Sequence, residues 1–194
     1  MKLIQLTDIH LTTPGHKIGG RDPNANFQKA LDHALSNHPD AEAVIITGDL
    51  SDWGDAPDYL WLKNILADID IPAHLCIGNH DDRPTLLGVF PELADENGFV
   101  QQAIPLSGGT ALLLDTWVPE THAGHFCETR AAWLDRQLSE GDGPFWLFVH
   151  HNPIPTHIGP VDQIMLLDAD RLGAVIATNR EKITQLFLAT ATYR

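Results

Sequence analysis

Apolar residues follow two rhythms along this chain. The runs Leu3 to Thr7, Val44 to Gly48, His74 to Gly78 and Phe145 to Val149 are short and unbroken, bounded by Gly, Pro or Asp. Runs of that kind predict strands covered on both faces. Between them the spacing turns helical. Asp22-Pro23 reads as an N-cap with a first-turn proline, and Phe27, Ala30, Leu31, Ala34 and Leu35 then form one stripe. Asp55 caps a second predicted helix with Tyr59, Leu62, Leu66 and Ile69 on its buried face. Thr129 caps a third with Ala131, Leu134 and Leu138, and Asp168 a fourth with Ala169, Leu172, Val175 and Ile176. Phe99 to Ile104 and Ala111 to Asp115, separated by Pro105-Leu106-Ser107-Gly108-Gly109, predict an antiparallel hairpin. The expected architecture is α/β: two packed mixed sheets with helices outside, in one domain.

Composition narrows the function classes. The 194 residues suffice for one domain with a substantial core. With 12 Lys plus Arg against 26 Asp plus Glu, the formal charge is −14, which argues against a nucleic-acid-binding surface. No apolar window is long enough for a membrane span, and the start of the chain lacks a signal-peptide pattern; a cytoplasmic location is the expectation. Cys76 and Cys127 are far apart and read as free thiols. An anionic substrate would meet a repulsive field unless bound cations offset it.

The candidate chemistry lies where the strands end. The first run leads into Asp8 and His10, the second into Asp49, the third into Asn79 and His80, and the fourth into His150 and His151. If these strands are neighbours, the ligand atoms converge at the carboxyl edge, where open α/β sheets carry their sites. Asp8-Ile9-His10 is uninformative by itself, since a D-x-H triplet arises by chance about once in such a chain; its position after a strand gives it weight. In Gly48-Asp49 the glycine permits a sharp exit that aims the carboxylate at the edge. A carboxylate there can bridge two cations. Gly78-Asn79-His80-Asp81 is the most specific tetrapeptide: Asn offers a neutral ligand oxygen, and the adjacent His can donate to a phosphoryl oxygen or leaving group. Of His150 and His151, one suffices as a ligand, and the other is expected to pack or support. Two Asp, one Asn and several His suit a metal pair and hence phosphoester hydrolysis.

Other histidines are expected to be ordinary. Thr121-His122-Ala123-Gly124-His125 reads as a solvated or packing loop, as do His33, His38 and His74. Trp53, Trp61, Trp117, Trp133 and Trp146 read as core or loop anchors. No P-loop, G-x-G-x-x-G or G-x-S-x-G pattern is present, which removes nucleotide cradles and acyl-transfer serine chemistry.

In order and spacing, these motifs resemble the calcineurin-like metallophosphoesterase superfamily, and within it the bacterial class III cyclic-nucleotide phosphodiesterase and glycerophosphodiesterase group. The resemblance covers nearly the whole chain, including Asp22-Pro23-Asn24-Ala25-Asn26. It implies a four-layer α/β/β/α sandwich of two mixed sheets flanked by helices, and a dinuclear centre of two divalent ions, iron, manganese or zinc. By the family pattern Asp8 and His10 would hold one metal, Asp49 would bridge both, Asn79 with His150 would hold the other, and His80 would contact the phosphoryl group as the catalytic residue. A metal-bound hydroxide would attack a small-molecule phosphodiester, either a 3′,5′-cyclic nucleotide or a glycerophosphodiester, with neither nucleic acid nor membrane as partner.

The family pattern continues with Gly-His-x-His after a last strand, whereas here Ile183 to Leu188 runs into Ala189-Thr190-Ala191-Thr192-Tyr193-Arg194. Expected on that basis is a single domain, 1–194, truncated at its C-terminus. Suitable codons for Ala189 to Arg194, read one base earlier, spell Gly-His-Arg-His-Leu-Pro; sequencing the 3′ end of the gene tests that expectation of a shifted frame. Two alternatives stay open: a phosphomonoesterase of the same fold and, because the histidine pair is missing, a catalytically impaired metal-binding or interaction protein. A homo-oligomer is possible on the family pattern, although the segment that pairs subunits there has no counterpart here.

Overall fold

The computed structural model describes residues 1–189. Its first sheet holds β1 (Leu3–Leu6), β2 (Ala43–Thr47) and β3 (Ala73–Cys76) in that order, all parallel. A second sheet holds β4 (Gln102–Leu106), β5 (Gly109–Leu114), β6 (Phe145–Val149) and β7 (Ile183–Leu188). β4 and β5 run antiparallel and the remaining pairs parallel, so only this sheet mixes directions. The expectation of two mixed sheets therefore holds for one of them. The strands of the first sheet are separated by long crossovers carrying helices, a connection that returns the chain in the same direction.

Helices α1 (Pro23–Asn37), α2 (Ala56–Ala67) and α3 (Arg83–Val89) cover the outside of the first sheet. Phe27, Leu31, Tyr59, Leu62 and Leu86 pack there against Ile4, Val44, Ile46 and Leu75. α4 (Glu128–Glu140) and α6 (Ala169–Thr178) cover the second sheet, with Leu134, Leu138 and Leu172 on Leu112, Leu114 and Leu147; α5 (Gly159–Asp162) is a single turn between β6 and α6. The inner faces meet through Ile45 and Cys76 on one side and Ala111, Leu113 and Phe148 on the other. This is the α/β/β/α layering. All five positions of β2 are buried, because one face meets helices and the other meets a sheet, which is why its sequence does not alternate. Among the described residues no helix is long and apolar enough to cross a membrane.

Several elements differ from the reading of the sequence. The hairpin turn is only Ser107-Gly108, since Leu106 pairs with Gly109 and Pro105 with Thr110. Pro105 is tolerated because β4 is an edge strand. Phe99 to Gln101 is held by carboxylates instead: Asp95 accepts from the Phe99 amide and Asp115 from the Val100 amide, both at 2.8 Å. Cys127, not Thr129, precedes the third long helix. α3 was not expected. It buries only Leu86, too little for a periodic signal, and it begins where Asp82 Oδ1 accepts from the Thr85 amide at 2.9 Å. Of the two roles read for the tryptophans, Trp53, 53% exposed, takes that of a loop anchor, packing edge-on against the His16 ring. Thr190 to Arg194, on which the shifted-frame reading bears, lie outside the described residues.

Candidate metal centre

Three successive strand ends bring Asp8, Asp49 and Asn79 to the carboxyl edge of the first sheet, and β6 adds His150 from the second. Beyond β1 and β2 the chains stay side by side: the His10 amide donates to the Asp49 carbonyl and the Leu11 amide to that of Leu50, each at 2.9 Å. That pairing requires tight turns. Asp8, His10 and Asp49 all sit at left-handed backbone angles, with φ of 53°, 44° and 50°. Non-glycine residues there cost about 1–3 kcal/mol each, strain that recurs at functional sites. Gly48, at φ 95°, relieves the sharpest of these turns. A Cβ on Gly48 would collide with the His150 ring at 2.5 Å, and one on Gly78 would overlap Asp49.

Asp49 is the hub. Its Oδ1 accepts from the His80 amide at 2.9 Å and lies 3.3 Å from His150 Nε2, while Oδ2 lies 3.6 Å from His10 Nε2. Both imidazoles are committed at their other nitrogen. His150 Nδ1 faces the Thr47 carbonyl at 2.8 Å, an oxygen that can only accept, so Nδ1 carries the proton. His10 Nδ1 faces Asp52 Oδ1 at 3.1 Å. In their neutral forms both rings therefore turn Nε2 lone pairs toward the two oxygens of Asp49, and His150 Nε2 also lies 3.1 Å from Asn79 Oδ1. Acceptor faces acceptor at each of these contacts. Such a constellation calls for a cation in its midst, and the oxygen and nitrogen donors suit a divalent transition metal. One atom each from Asp8, His10 and Asp49 lies within 4.8 Å of the others, as does one each from His10, Asp52 and His80. The residues present fit a metal-binding role.

Supporting residues fix the donors. Asp52, which no motif marks, places its buried carboxylate at the Nδ1 atoms of His10 and, at 3.8 Å, of His80. The Asp52 carbonyl accepts a hydrogen bond from His80 Nδ1–H at 2.9 Å, which leaves His80 Nε2 as the ring atom able to meet another group. Carboxylates behind imidazoles of this kind set tautomer and orientation. Burial pushes the Asp49 carboxyl up, but the His80 amide together with the His150, His80 and His10 rings in their protonated forms outweighs it, and the net direction is downward. Asp81, fully enclosed, accepts from the Leu50, Ser51 and Gly78 amides and from the Tyr59 hydroxyl, tying the second and third motifs together. Burial and the charge of Asp49 raise its pKa to about 6.

The six residues expected to form the site, Asp8, His10, Asp49, Asn79, His80 and His150, meet at this edge. His151 turns away. Its Nδ1 pairs with Thr116 Oγ1 at 2.6 Å and Nε2–H donates to the His122 carbonyl at 3.2 Å; burial and the neighbouring His150 lower its pKa to about 3. His122, exposed as its loop reading has it, also reaches the site. Its Nδ1 accepts from Asn79 Nδ2 at 3.2 Å, and its ring lies 5.3 Å from that of His80. No local signal marks it, because the contact spans 43 residues of sequence.

The family description of the calcineurin-like phosphoesterases matches residues 1–178. The chain belongs to that family. As a calcineurin-like phosphoesterase it falls in a class of metal-dependent hydrolases, and its relatives carry phosphodiesterase names. It is 38% identical over 186 residues to a probable cyclic nucleotide phosphodiesterase of Rhodopseudomonas palustris, a match covering 93% of this chain and 68% of the relative. It is 29% identical to the glycerophosphodiester phosphodiesterase GpdQ of Enterobacter lignolyticus, covering 91% of this chain and 66% of that one. This calcineurin-like phosphoesterase thus spans about two thirds of the length of the relatives it matches. Among solved structures, a purple acid phosphatase of yellow lupin seeds superimposes with a TM-score of 0.63 at 10% identity, over 97% of this chain and 37% of its own. That likeness concerns the fold.

Proposed function

We propose that the chain is the metal-binding part of a phosphodiesterase acting on a small phosphodiester, a 3′,5′-cyclic nucleotide or a glycerophosphodiester. The observation that carries this is the confrontation of lone pairs around Asp49, where two committed imidazoles present Nε2 to its oxygens. Asp8 and His10 would hold one divalent ion of iron, manganese or zinc type, Asn79 and His150 a second, and Asp49 would bridge them. Bound there, such ions supply a nucleophile near neutral pH and neutralise phosphoryl charge. The residues of the chain do the rest. Asp52 holds the His10 and His80 rings by their Nδ1 sides. When it carries a proton on both nitrogens, His80 can donate from Nε2 to a phosphoryl oxygen or to the departing alkoxide while Nδ1–H stays on the Asp52 carbonyl. His122 fixes the Asn79 amide, so that Oδ1 and not Nδ2 turns toward the centre. The names of the relatives from Rhodopseudomonas palustris and Enterobacter lignolyticus support a diester over a monoester.

Protein supplemented with Mn²⁺ is expected to hydrolyse bis(p-nitrophenyl) phosphate faster than p-nitrophenyl phosphate, and Asp49→Ala to lower that activity at least about 100-fold. Equal or greater monoester turnover would overturn the diester preference. Hydrolysis indifferent to Asp49→Ala would overturn the site itself.

A further inference from the structure

Beside the cluster lies a cavity of about 650 Å³, within the range of small-molecule sites. Asp8 and His10 line it together with Ile18, Arg21, Asn26 and Phe27. Arg21 is the one Lys or Arg among the residues lining this cavity. Four other arginines, Arg83, Arg130, Arg136 and Arg171, pair with carboxylates, and Arg180, which does not, is not among the residues lining the cavity. The Arg21 guanidinium makes no ion pair or hydrogen bond among the described residues, in a protein of formal charge −14.

Its mounting is firm. The Ile18 amide donates to the Arg21 carbonyl at 2.9 Å and the Arg21 amide to the Ile18 carbonyl at 3.0 Å. The two residues between them, Gly19 and Gly20, have φ of 55° and 79°, the backbone of a two-residue hairpin turn that favours glycine at both positions. A further tie comes from the buried Asn24, whose Oδ1 accepts from the Thr12 amide at 3.1 Å and joins the loop to α1. Arg21 thus stands at the base of a closed hairpin with its side chain lining the cavity.

We propose that this cavity seats the alcohol portion of the phosphodiester, and that Arg21 selects alcohols bearing a second anionic group, a carboxylate or a phosphate. The inference rests on the phosphodiesterase reading and names the substrate class within it. A guanidinium pairs such groups through two parallel N–H donors. Asn26 adds a polar group to the wall, and Ile18 and Phe27 supply apolar contact for the carbon skeleton between the two anions. An acidic protein repels anions, so a single unpaired cation beside the cluster discriminates more sharply than it would on a neutral surface.

The test uses matched pairs with Mn²⁺-loaded protein. Glycerophosphoserine differs from glycerophosphoethanolamine by a carboxylate, and glycerophosphoinositol 4-phosphate from glycerophosphoinositol by a phosphate. The wild type is expected to favour the charged member in kcat/KM in at least one pair, and the pair concerned identifies the anion. Arg21→Gln is expected to lower that preference about tenfold, and Arg21→Lys to keep part of it, since charge survives and the fork does not. Calorimetric binding of phosphoserine against phosphoethanolamine gives the same comparison without turnover. A preference unmoved by Arg21→Gln, or absent from the wild type, in both kinetics and binding overturns the proposal. If no diester is hydrolysed, the phosphodiesterase reading fails, and the binding comparison still decides the role of Arg21.

Discussion

Two buried carboxylates stand at strand ends in this protein, and they are treated in opposite ways. Asp115, just beyond β5, receives the Arg83 guanidinium at 2.8 and 2.9 Å, Arg130 Nη1 at 3.1 Å, and the amides of Val100 and Trp117. Its oxygens are matched by donors and its charge by two cations, themselves stacked on Phe99 and Trp117. Asp49, just beyond β2, receives one amide, and its remaining neighbours are imidazole lone pairs. Both are buried, Asp115 completely and Asp49 to 4% exposure. The fold can evidently supply guanidinium groups to an enclosed carboxylate, and at Asp49 it supplies none. That difference separates a structural ion pair from a centre built to take its positive charge from outside.

The largest effect expected from breaking the comparison is at Asp115. Asp115→Ala leaves two guanidinium groups without their partner and should destabilise the protein by about 3–5 kcal/mol, read from urea unfolding. A loss below about 1 kcal/mol would show that the arginines find other acceptors. Next in size is the response to metal. Saturating Mn²⁺ at about 100 times its Kd should raise unfolding stability by about 2.7 kcal/mol, and Asp49→Asn should remove that gain. In metal-free protein at pH 8, the same Asp49→Asn should leave stability unchanged or raise it, because an amide NH₂ can donate where two acceptors met. The two buried Asp residues are thus expected to answer substitution with opposite signs, and a large loss at Asp49 in the absence of metal would erase the distinction.

The smallest effect concerns pH. His151 has its folded pKa lowered from 6.5 to about 3. Between these values the unfolded chain binds a proton that the native protein refuses. Its contribution to stability is therefore complete above about pH 6.5 and falls by about 1.4 kcal/mol for each unit of acidification below it. Asp81, raised from 3.8 to about 6, acts in the other sense: its native form holds a proton longer, so its contribution declines as pH rises through that window and offsets part of the His151 slope. His151→Gln should accordingly make stability less sensitive to acid than in the wild type, measured as the change in Tm between pH 7 and pH 5. A variant as acid-sensitive as the wild type would place the origin elsewhere.

Much of this architecture is legible in the sequence because its signals are local. Asp22 with Pro23 marks the start of α1, and its side chain does accept from the Ala25 amide at 3.0 Å. Unbroken apolar runs announce strands, and the polar residue after each run shows where the edge lies. What escapes is whatever depends on distant partners. Nothing near Asp52 in the sequence marks it as the partner of His10 and His80, and nothing near His122 marks it as the partner of Asn79. Arg83, Asp115 and Arg130 are separated by 32 and 15 residues, and no spacing rule connects them. Long-range polar pairing carries no periodicity, whereas burial against a sheet does.

Gly48 and Gly78 have a consequence for how such a centre could change. At both positions the backbone already touches the groups facing it, so no methyl group fits between. The gap across the centre is consequently gauged by main chain resting on imidazole, and rotamer adjustment has little slack to spend. Tuning this chain toward an ion of different radius would mean sliding one whole sheet against the other.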